Sequence, residues 1–169
     1  MSDRQTVLIA GGSKGVGAHI ARTLASETRT VVALGRDQDA LDELGTASDK
    51  IRTVCADVTA LDTSSLTQIL DAAPPLTGVV YCAAHRYVPA RLHQAEALDV
   101  QKTLQTDLEG VLKLCRLVLP RLMQARRSSI VLFGSLASEV GMKGGTAYVA
   151  AKAGLEGLSR NLALEYGQY

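Results

Sequence analysis

The chain has no apolar run long enough to cross a bilayer: nothing in its 169 residues approaches the roughly 20 consecutive apolar residues a membrane span needs. The apolar part of the opening "MSDRQTVLIAGG" is too short for a secretory signal, so a soluble cytoplasmic protein is expected. Net charge is nearly absent too. Eighteen Lys and Arg against 17 Asp and Glu leave +1, with both signs scattered, which excludes a protein held to nucleic acid or to a membrane surface by a charge field. Cysteine is scarce and odd in number. Cys55, Cys82 and Cys115 lie far apart in apolar runs, which excludes a disulfide framework and a metal site and predicts reduced core thiols. There is no repeat, low-complexity tract or linker, and the length suits one domain with a real core.

What is present is an alternation. Short apolar runs at 6–10, 30–34, 51–56, 78–83 and 129–133 have the length and continuous hydrophobicity of strands covered on both faces. Between them lie helical patterns at 16–27, at 39–45 with Gly45 as a C-cap, and at 64–73, stopping before Pro74 and Pro75. A long helical segment from Asp99 to about Ala125 puts Leu104, Leu108, Val111, Leu112, Cys115 and Leu122 on one side, and Pro120 is expected to kink or end it. Repeated strand and helix units with right-handed crossovers predict an α/β fold: a Rossmann-like, doubly wound parallel sheet of order 3-2-1-4-5 with helices on both faces.

The chemistry begins in "IAGGSKGVGAHIA". Gly11, Gly15 and Gly17 follow a predicted strand and open a predicted helix, a context that lets backbone amides approach a pyrophosphate at a helix N-terminus. Glycines in such a turn also serve structure alone. At the end of the second strand, "VVALGRD" offers Gly35 and Arg36 where a protein selecting NAD presents a carboxylate to the ribose. Arg36, with Lys14 from the glycine loop, suits a 2′-phosphate and favours NADP(H) over NAD(H). Asp37 keeps NAD(H) open, and both cations read equally as solvated loop residues. Asp57, after the third strand, is either an acceptor for an adenine amino group or a turn residue.

The remaining motif is "GSLASEVGMKGGTAYVAAKAG". Ser135 falls at the carboxyl end of the fifth strand, and Tyr148 and Lys152 fall one turn apart on the following helix, at the edge where open parallel sheets bind ligands. A phenol is a poor proton carrier at neutral pH, and an adjacent ammonium favours its anion. Tyr148 is thus the candidate general acid or base, Lys152 its electrostatic partner, and Ser135 the donor to a substrate carbonyl oxygen.

With "GGSKGVG" at 11–17, "CADVT" at 55–59, Ser135 and "YVAAK" at 148–152 in place, the chain resembles the short-chain dehydrogenases/reductases from about Thr6 to its last residue. "YVAAKAGLEGLSRNLALEYG" is similar to ketoreductases of the 3-oxoacyl-carrier-protein reductase type. The resemblance implies hydride transfer from NADP(H) to a carbonyl, protonation by Tyr148, and Lys152 also holding the nicotinamide ribose. It implies a cofactor-binding set of Gly11, Ser13, Lys14, Gly15, Val16, Gly17, Arg36, Asp57, Val58, Ala83, Tyr148 and Lys152. The substrate it implies is a small-molecule or carrier-linked carbonyl compound, such as a 3-oxoacyl, polyketide or cyclic ketone.

Three departures stand out. "YCAA" at 81–84 replaces the family's NNAG stretch, with apolar packing expected in place of its asparagine contacts. Asp107 stands where the family has an asparagine supporting a proton relay; an aspartate also holds a water, and its charge would favour the ammonium of Lys152. After "LALEYGQY" the family's remaining strands, Pro-Gly turn and substrate lid do not follow, so residues 1–169 are expected to be a single dinucleotide-binding and catalytic domain, truncated at the C-terminus, with "SIVLF" at a sheet edge. A non-catalytic nucleotide-binding or assembly subunit is the alternative. Outward apolar faces at Leu112, Val118 and Leu155 would pair subunits into a homodimer or homotetramer; otherwise these residues cover the sheet. His85 and His93 are assigned no role.

Overall fold

Residues 4–61, 63–125 and 127–169 are described in a computed structural model; the first three residues of the opening stretch lie outside them. Strands β1 (Gln5–Ala10), β2 (Arg29–Gly35), β3 (Ile51–Cys55), β4 (Leu76–Tyr81) and β5 (Ser129–Leu132) form one parallel sheet in the order β3-β2-β1-β4-β5, as the sequence predicts. The helices between them are α1 (Gly15–Leu24), α2 (Gln38–Thr46), α3 (Thr63–Asp71), α4 (Ala97–Leu104), α5 (Gly110–Ala125), α6 (Ala137–Val140) and α7 (Thr146–Tyr166).

The two-residue strand period divides the core. Leu8, Val32, Leu34, Val79 and Tyr81 pack with Leu66, Leu114, Val118 and Leu155 of α3, α5 and α7. Their strand neighbours Val7, Ile9, Val31, Ala33 and Val80 pack with Ala21, Leu41 and Leu44 of α1 and α2. Continuous apolar strands are therefore required, since alternate residues enter different layers. Each fully buried Leu or Val contributes about 1.5–3 kcal/mol. The strand order reverses between β1 and β4, which opens a crevice at the carboxyl edge.

The long helical segment differs from expectation. Its break falls not at Pro120 but at Gln105–Glu109, a single π-helical turn between α4 and α5. The wider turn inserts a residue and shifts the helical phase, so no single stripe runs along the segment. Leu104 and Leu112 are exposed, while Val111, Leu114, Cys115, Val118 and Leu122 face the sheet. Pro120 stays inside α5 on its exposed side, where water can serve the Arg116 carbonyl that loses its helical donor. The expected outward face is likewise corrected: Val118 and Leu155 lie in the core, and only Leu112 of the three faces out.

Smaller corrections have local causes. Gly45 is within α2 rather than capping it; the helix ends when Ala47 N–H turns back to the Leu44 carbonyl at 3.1 Å, with no left-handed residue needed. Of the thiols, Cys115 is buried, Cys82 half-buried and Cys55 exposed, because β3 is an edge strand. Burial pushes the Cys115 thiol up to about 11.

The π-turn is tied to the sheet. Gly110 N–H reaches back five residues to the Gln105 carbonyl, so the Thr106 carbonyl lacks the donor an α-helix would give it. The buried Tyr81 hydroxyl fills that vacancy, donating to Thr106 O at 2.7 Å. A Cβ at Gly110 would come within 2.5 Å of the same hydroxyl oxygen, so the contact needs glycine there. This bond, rather than apolar packing alone, ties "YCAA" to the middle helices. Tyr81→Phe leaves a buried carbonyl without a donor and is expected to cost about 1–3 kcal/mol, read as a lowered midpoint in urea unfolding; an unchanged midpoint would contradict the role.

Candidate functional site

The site begins at the turn from β1 into α1. Gly11 has a φ of +78°, and a Cβ on it would come within 2.5 Å of the Ala83 backbone nitrogen, so the first loop lies directly on the end of β4. A Cβ on Gly17 would collide with the Gly11 carbonyl, which holds α1 against the loop. Gly15 faces open space at a φ of +57°, Val16 is exposed beside it, and the N-cap residue Lys14 makes no side-chain cap. With no acid in its first turn, α1 presents amides and the positive end of its dipole to an anion. The residues present thus fit a dinucleotide pyrophosphate.

Beside this loop runs a groove of about 420 Å³, lined by Gly11, Ser13 and Lys14, by Arg36 after β2, by Asp57 and Val58 after β3, and by Ala83 after β4. Gly35 is as necessary as the loop glycines, since a Cβ there would meet Ser13 Cβ and Oγ at 2.7 Å. Both predicted phosphate cations already have carboxylate partners. Lys14 pairs with Asp37, and Arg36 Nη1 lies 3.5 Å from Asp57 Oδ2. Asp37 also caps α2, accepting from Ala40 N–H at 3.0 Å; the Lys14 ammonium, then this bond, hold its carboxyl below the usual carboxylate range. Asp57 Oδ1 accepts from both the Thr59 amide and hydroxyl at 2.8 Å, the geometry of the turn reading. Partial burial opposes ionisation of Asp57, but the Thr59 bonds and Arg36 outweigh it, so its carboxyl also sits low.

The second half of the site lies on α7 and the π-turn. Tyr148 and Lys152 occupy successive turns, with the Lys152 ammonium 5.6 Å from the Tyr148 ring centroid. Lys152 is buried, and its ammonium donates to the Phe133 carbonyl at 3.0 Å, which fixes it beneath the end of β5. Ser135 follows that strand. Its hydroxyl oxygen accepts from Ala137 N–H at 3.2 Å, which leaves the hydroxyl proton to be donated elsewhere. Tyr148 also packs against Tyr87, with ring centroids 6.0 Å apart.

Asp107 sits within the π-turn at 1% exposure. Its Oδ1 accepts from His85 N–H at 2.7 Å; its Oδ2 is buried without a hydrogen-bond partner. Burial pushes this carboxyl up, against the opposing pull of the His85 amide and the Lys152 charge. His85, set aside in the sequence, thus holds Asp107 through its backbone, while its ring nitrogen Nε2 lies 3.5 Å from Asp99 Oδ1. Thr106, also unanticipated, lines the cofactor groove while its carbonyl takes the Tyr81 bond. Backbone donors and acceptors carry no side-chain signature, so neither His85 nor Phe133 was legible in these roles.

A phosphate-ready glycine turn, a groove at the strand-order reversal and a Tyr and Lys pair across it define a dinucleotide-binding α/β protein. The chain belongs to the short chain dehydrogenase family, whose model matches residues 5–169. It is 32% identical over 158 residues to the "Ketoacyl reductase HetN" of Nostoc sp., covering 89% of this chain and 54% of that protein. It is 30% identical over 172 residues to the "D-threitol dehydrogenase" of Mycolicibacterium smegmatis, covering 98% of this chain and 65% of the relative. Among solved structures, "The Closed form of serine dehydrogenase complexed with NADP+" superposes with a TM-score of 0.86 at 27% identity, over 95% of this chain and 66% of that one. The chain therefore spans between about half and two-thirds of the length of these relatives.

The buried carboxyl has a consequence for stability. Because the folded value of Asp107 is raised, the folded state binds more protons than the unfolded one between the ordinary carboxylate range and the raised value. Stability is therefore lost as pH rises through that window. Asp107→Asn removes the penalty: its unfolding midpoint in urea should exceed the wild type's at pH about 8 and converge on it near pH about 4. A gap that stays constant with pH would refute the assignment.

Proposed function

We propose that this chain forms the cofactor-binding and proton-handling part of an NADP(H)-dependent oxidoreductase that reduces a ketone to a secondary alcohol. The observation that carries the reading is the buried Lys152 ammonium, held by the Phe133 carbonyl and set over the Tyr148 ring at the carboxyl edge of the sheet. A buried ammonium is expensive to desolvate, and its placement beside a half-buried phenol favours a role in handling charge at that phenol. Likeness to a ketoacyl reductase supports a ketone of 3-oxoacyl, polyketide or cyclic type, free or carrier-linked. The proposed assembly is a cytoplasmic homodimer or homotetramer.

When bound, a reduced nicotinamide supplies the hydride accepted by the carbonyl carbon. The chain's own residues manage the oxygen. Ser135 donates its hydroxyl proton in a hydrogen bond to the carbonyl oxygen, polarising it and orienting it toward Tyr148. Tyr148 gives its phenolic proton to that oxygen as negative charge develops there. Lys152 stabilises the phenolate left behind and bonds the ribose beside it. Asp107 carries one unpartnered carboxyl oxygen in the π-turn, closed to solvent in this structure; a water admitted there would reprotonate the phenol.

NADP(H) is favoured over NAD(H) by Gly35 at the end of β2 and by the two cations flanking the groove. Lys14 and Arg36 are paired, but their side chains are 68% and 63% exposed. Ion pairs in water contribute at most about 1 kcal/mol, so a 2′-phosphate carrying more charge can displace the carboxylates. NADP⁺ bound to the related serine dehydrogenase supports the class of cofactor.

Tyr148→Phe removes only the transferable proton and should lower turnover by roughly 10²–10⁴, with NADPH affinity nearly unchanged by fluorescence titration; comparable turnover in variant and wild type would sink the mechanism. In the same titration, Arg36→Ala should weaken NADPH much more than NADH, and equal loss for both would mean the phosphate site is misassigned.

A further inference from the structure

Two loops line one narrow crevice together with Tyr148. One leaves β4 and spans residues 82–96; the other leaves β5 and spans residues 133–145. They are fastened together. Ala90 N–H donates to the Gly144 carbonyl at 3.0 Å, and the Tyr87 hydroxyl donates to the Lys143 carbonyl at 3.1 Å. A Cβ on Gly144 would lie 3.0 Å from the Ala90 nitrogen, so the junction is close-packed.

The charge along this junction is one-sided. Arg86 is next to Tyr87, and Arg91 and Lys143 are each next to a residue of the Ala90–Gly144 bond. Residues 84–95 and 140–148 contain no Asp or Glu; Asp99 lines the same crevice but lies 3.5 Å from His85 Nε2, and Glu139 lies on α6. Both cations that line the cofactor groove, Lys14 and Arg36, have carboxylate partners, yet among the described residues the side chains of Arg86, Arg91 and Lys143 have neither an ion pair nor a hydrogen bond. In a chain with a net charge of only +1, three unpaired cations at one fastened junction form a local positive site. Arg86 lines the same narrow crevice as Tyr87 and Tyr148.

The same two loops expose apolar side chains. Leu136 and Val140, one turn apart at α6, are 71% and 73% exposed, and Tyr87, Val88 and Met142 are also exposed. Large apolar side chains left in water beside an unpaired guanidinium suit a ligand with an apolar frame and an anionic end. An arginine fork matches a carboxylate or phosphate with two parallel hydrogen bonds.

We infer that the substrate is an anionic ketone: its carbonyl lies at Tyr148, its apolar frame rests on the α6 side of the mouth, and its carboxylate or phosphate is bound by Arg86 with Lys143 and Arg91. The inference rests on the ketoreductase reading above and adds the substrate's charge. Arg86 is then a specificity-determining residue. It lies outside the proton-handling set, and its interaction discriminates between substrates that present the same carbonyl.

The test compares matched pairs in the NADPH-loaded protein: 3-, 4- and 5-oxohexanoate, each against its neutral primary amide, with 3-oxohexanoyl-coenzyme A to separate a free carboxylate from a phosphate. At least one anionic member should exceed its amide in kcat/KM by roughly tenfold to a hundredfold, the value of a hydrogen bond to a charged group. The preference should shrink as ionic strength rises, and collapse toward one in Arg86→Gln and in Arg86→Gln/Lys143→Gln. Arg116→Gln, on the exposed side of α5, should leave the ratio as it was. Preference for the thioester over every free acid would place a phosphate at the cations; preference for a free acid would place a carboxylate there. Equal kcat/KM for acids and amides, or a preference that survives the double variant, would overturn the inference while leaving the reductase reading intact. If no ketone turns over, binding of the same pairs to the NADP⁺-loaded protein by calorimetry replaces kcat/KM. Equal affinity for acid and amide would then overturn the inference, and turnover failure with selective acid binding would instead count against the reductase reading alone.

Discussion

The hydrogen bond from the Tyr81 hydroxyl to the Thr106 carbonyl joins the central sheet to the one irregular turn in the long helical segment, and most of the site hangs from that junction. In a regular helix the Thr106 carbonyl would be taken by Gly110 N–H, and Tyr81 would have no buried acceptor there. The π-turn releases the carbonyl, and the phenol at the end of β4 occupies it. With the turn fixed, Asp107 points one carboxyl oxygen at His85 N–H and leaves the other buried, where burial pushes the carboxyl up against the pull of the Lys152 charge. The same tie sets the phase of α5, so that Val111, Leu114 and Val118 meet the sheet while Leu112 does not.

Two kinds of constraint meet across the crevice between β1 and β4. On the cofactor side they are steric. Gly11, Gly17 and Gly35 each lie where a Cβ would strike neighbouring atoms, so the loop, the end of β4 and the end of β2 pack at distances no other residue permits. Around Tyr148 they are electrostatic. An ammonium buried beside the Tyr148 ring and a carboxyl buried in the π-turn are each fixed by a backbone partner rather than by an opposing side chain. A site built this way can change its charge distribution without rearranging its scaffold, since the carbonyl and amide that hold the charged groups belong to the sheet and its loops.

Ion pairing separates the two rims. Along the groove beside the glycine turn, Lys14 and Arg36 are balanced by Asp37 and Asp57 in exposed pairs that contribute little. Along the junction of the two loops, Arg86, Arg91 and Lys143 lack such partners among the described residues.

By itself the sequence determined the parallel sheet, its strand order and the glycine turn, because these follow from local signals: continuous apolar runs of strand length, helical periodicity between them, and glycines at a strand-to-helix junction. It also placed Tyr148 and Lys152 on one helix face, since their spacing is a single turn. The tertiary structure alone decided what holds those side chains and what they face. The Phe133 carbonyl under Lys152, the His85 amide on Asp107 and the Tyr81 bond to Thr106 join residues distant in sequence, each through a backbone atom that every residue possesses. The π-turn likewise gives no compositional signal. It depends on a phenol 25 residues away accepting the task of a missing amide, and periodicity within one segment does not report a partner in another.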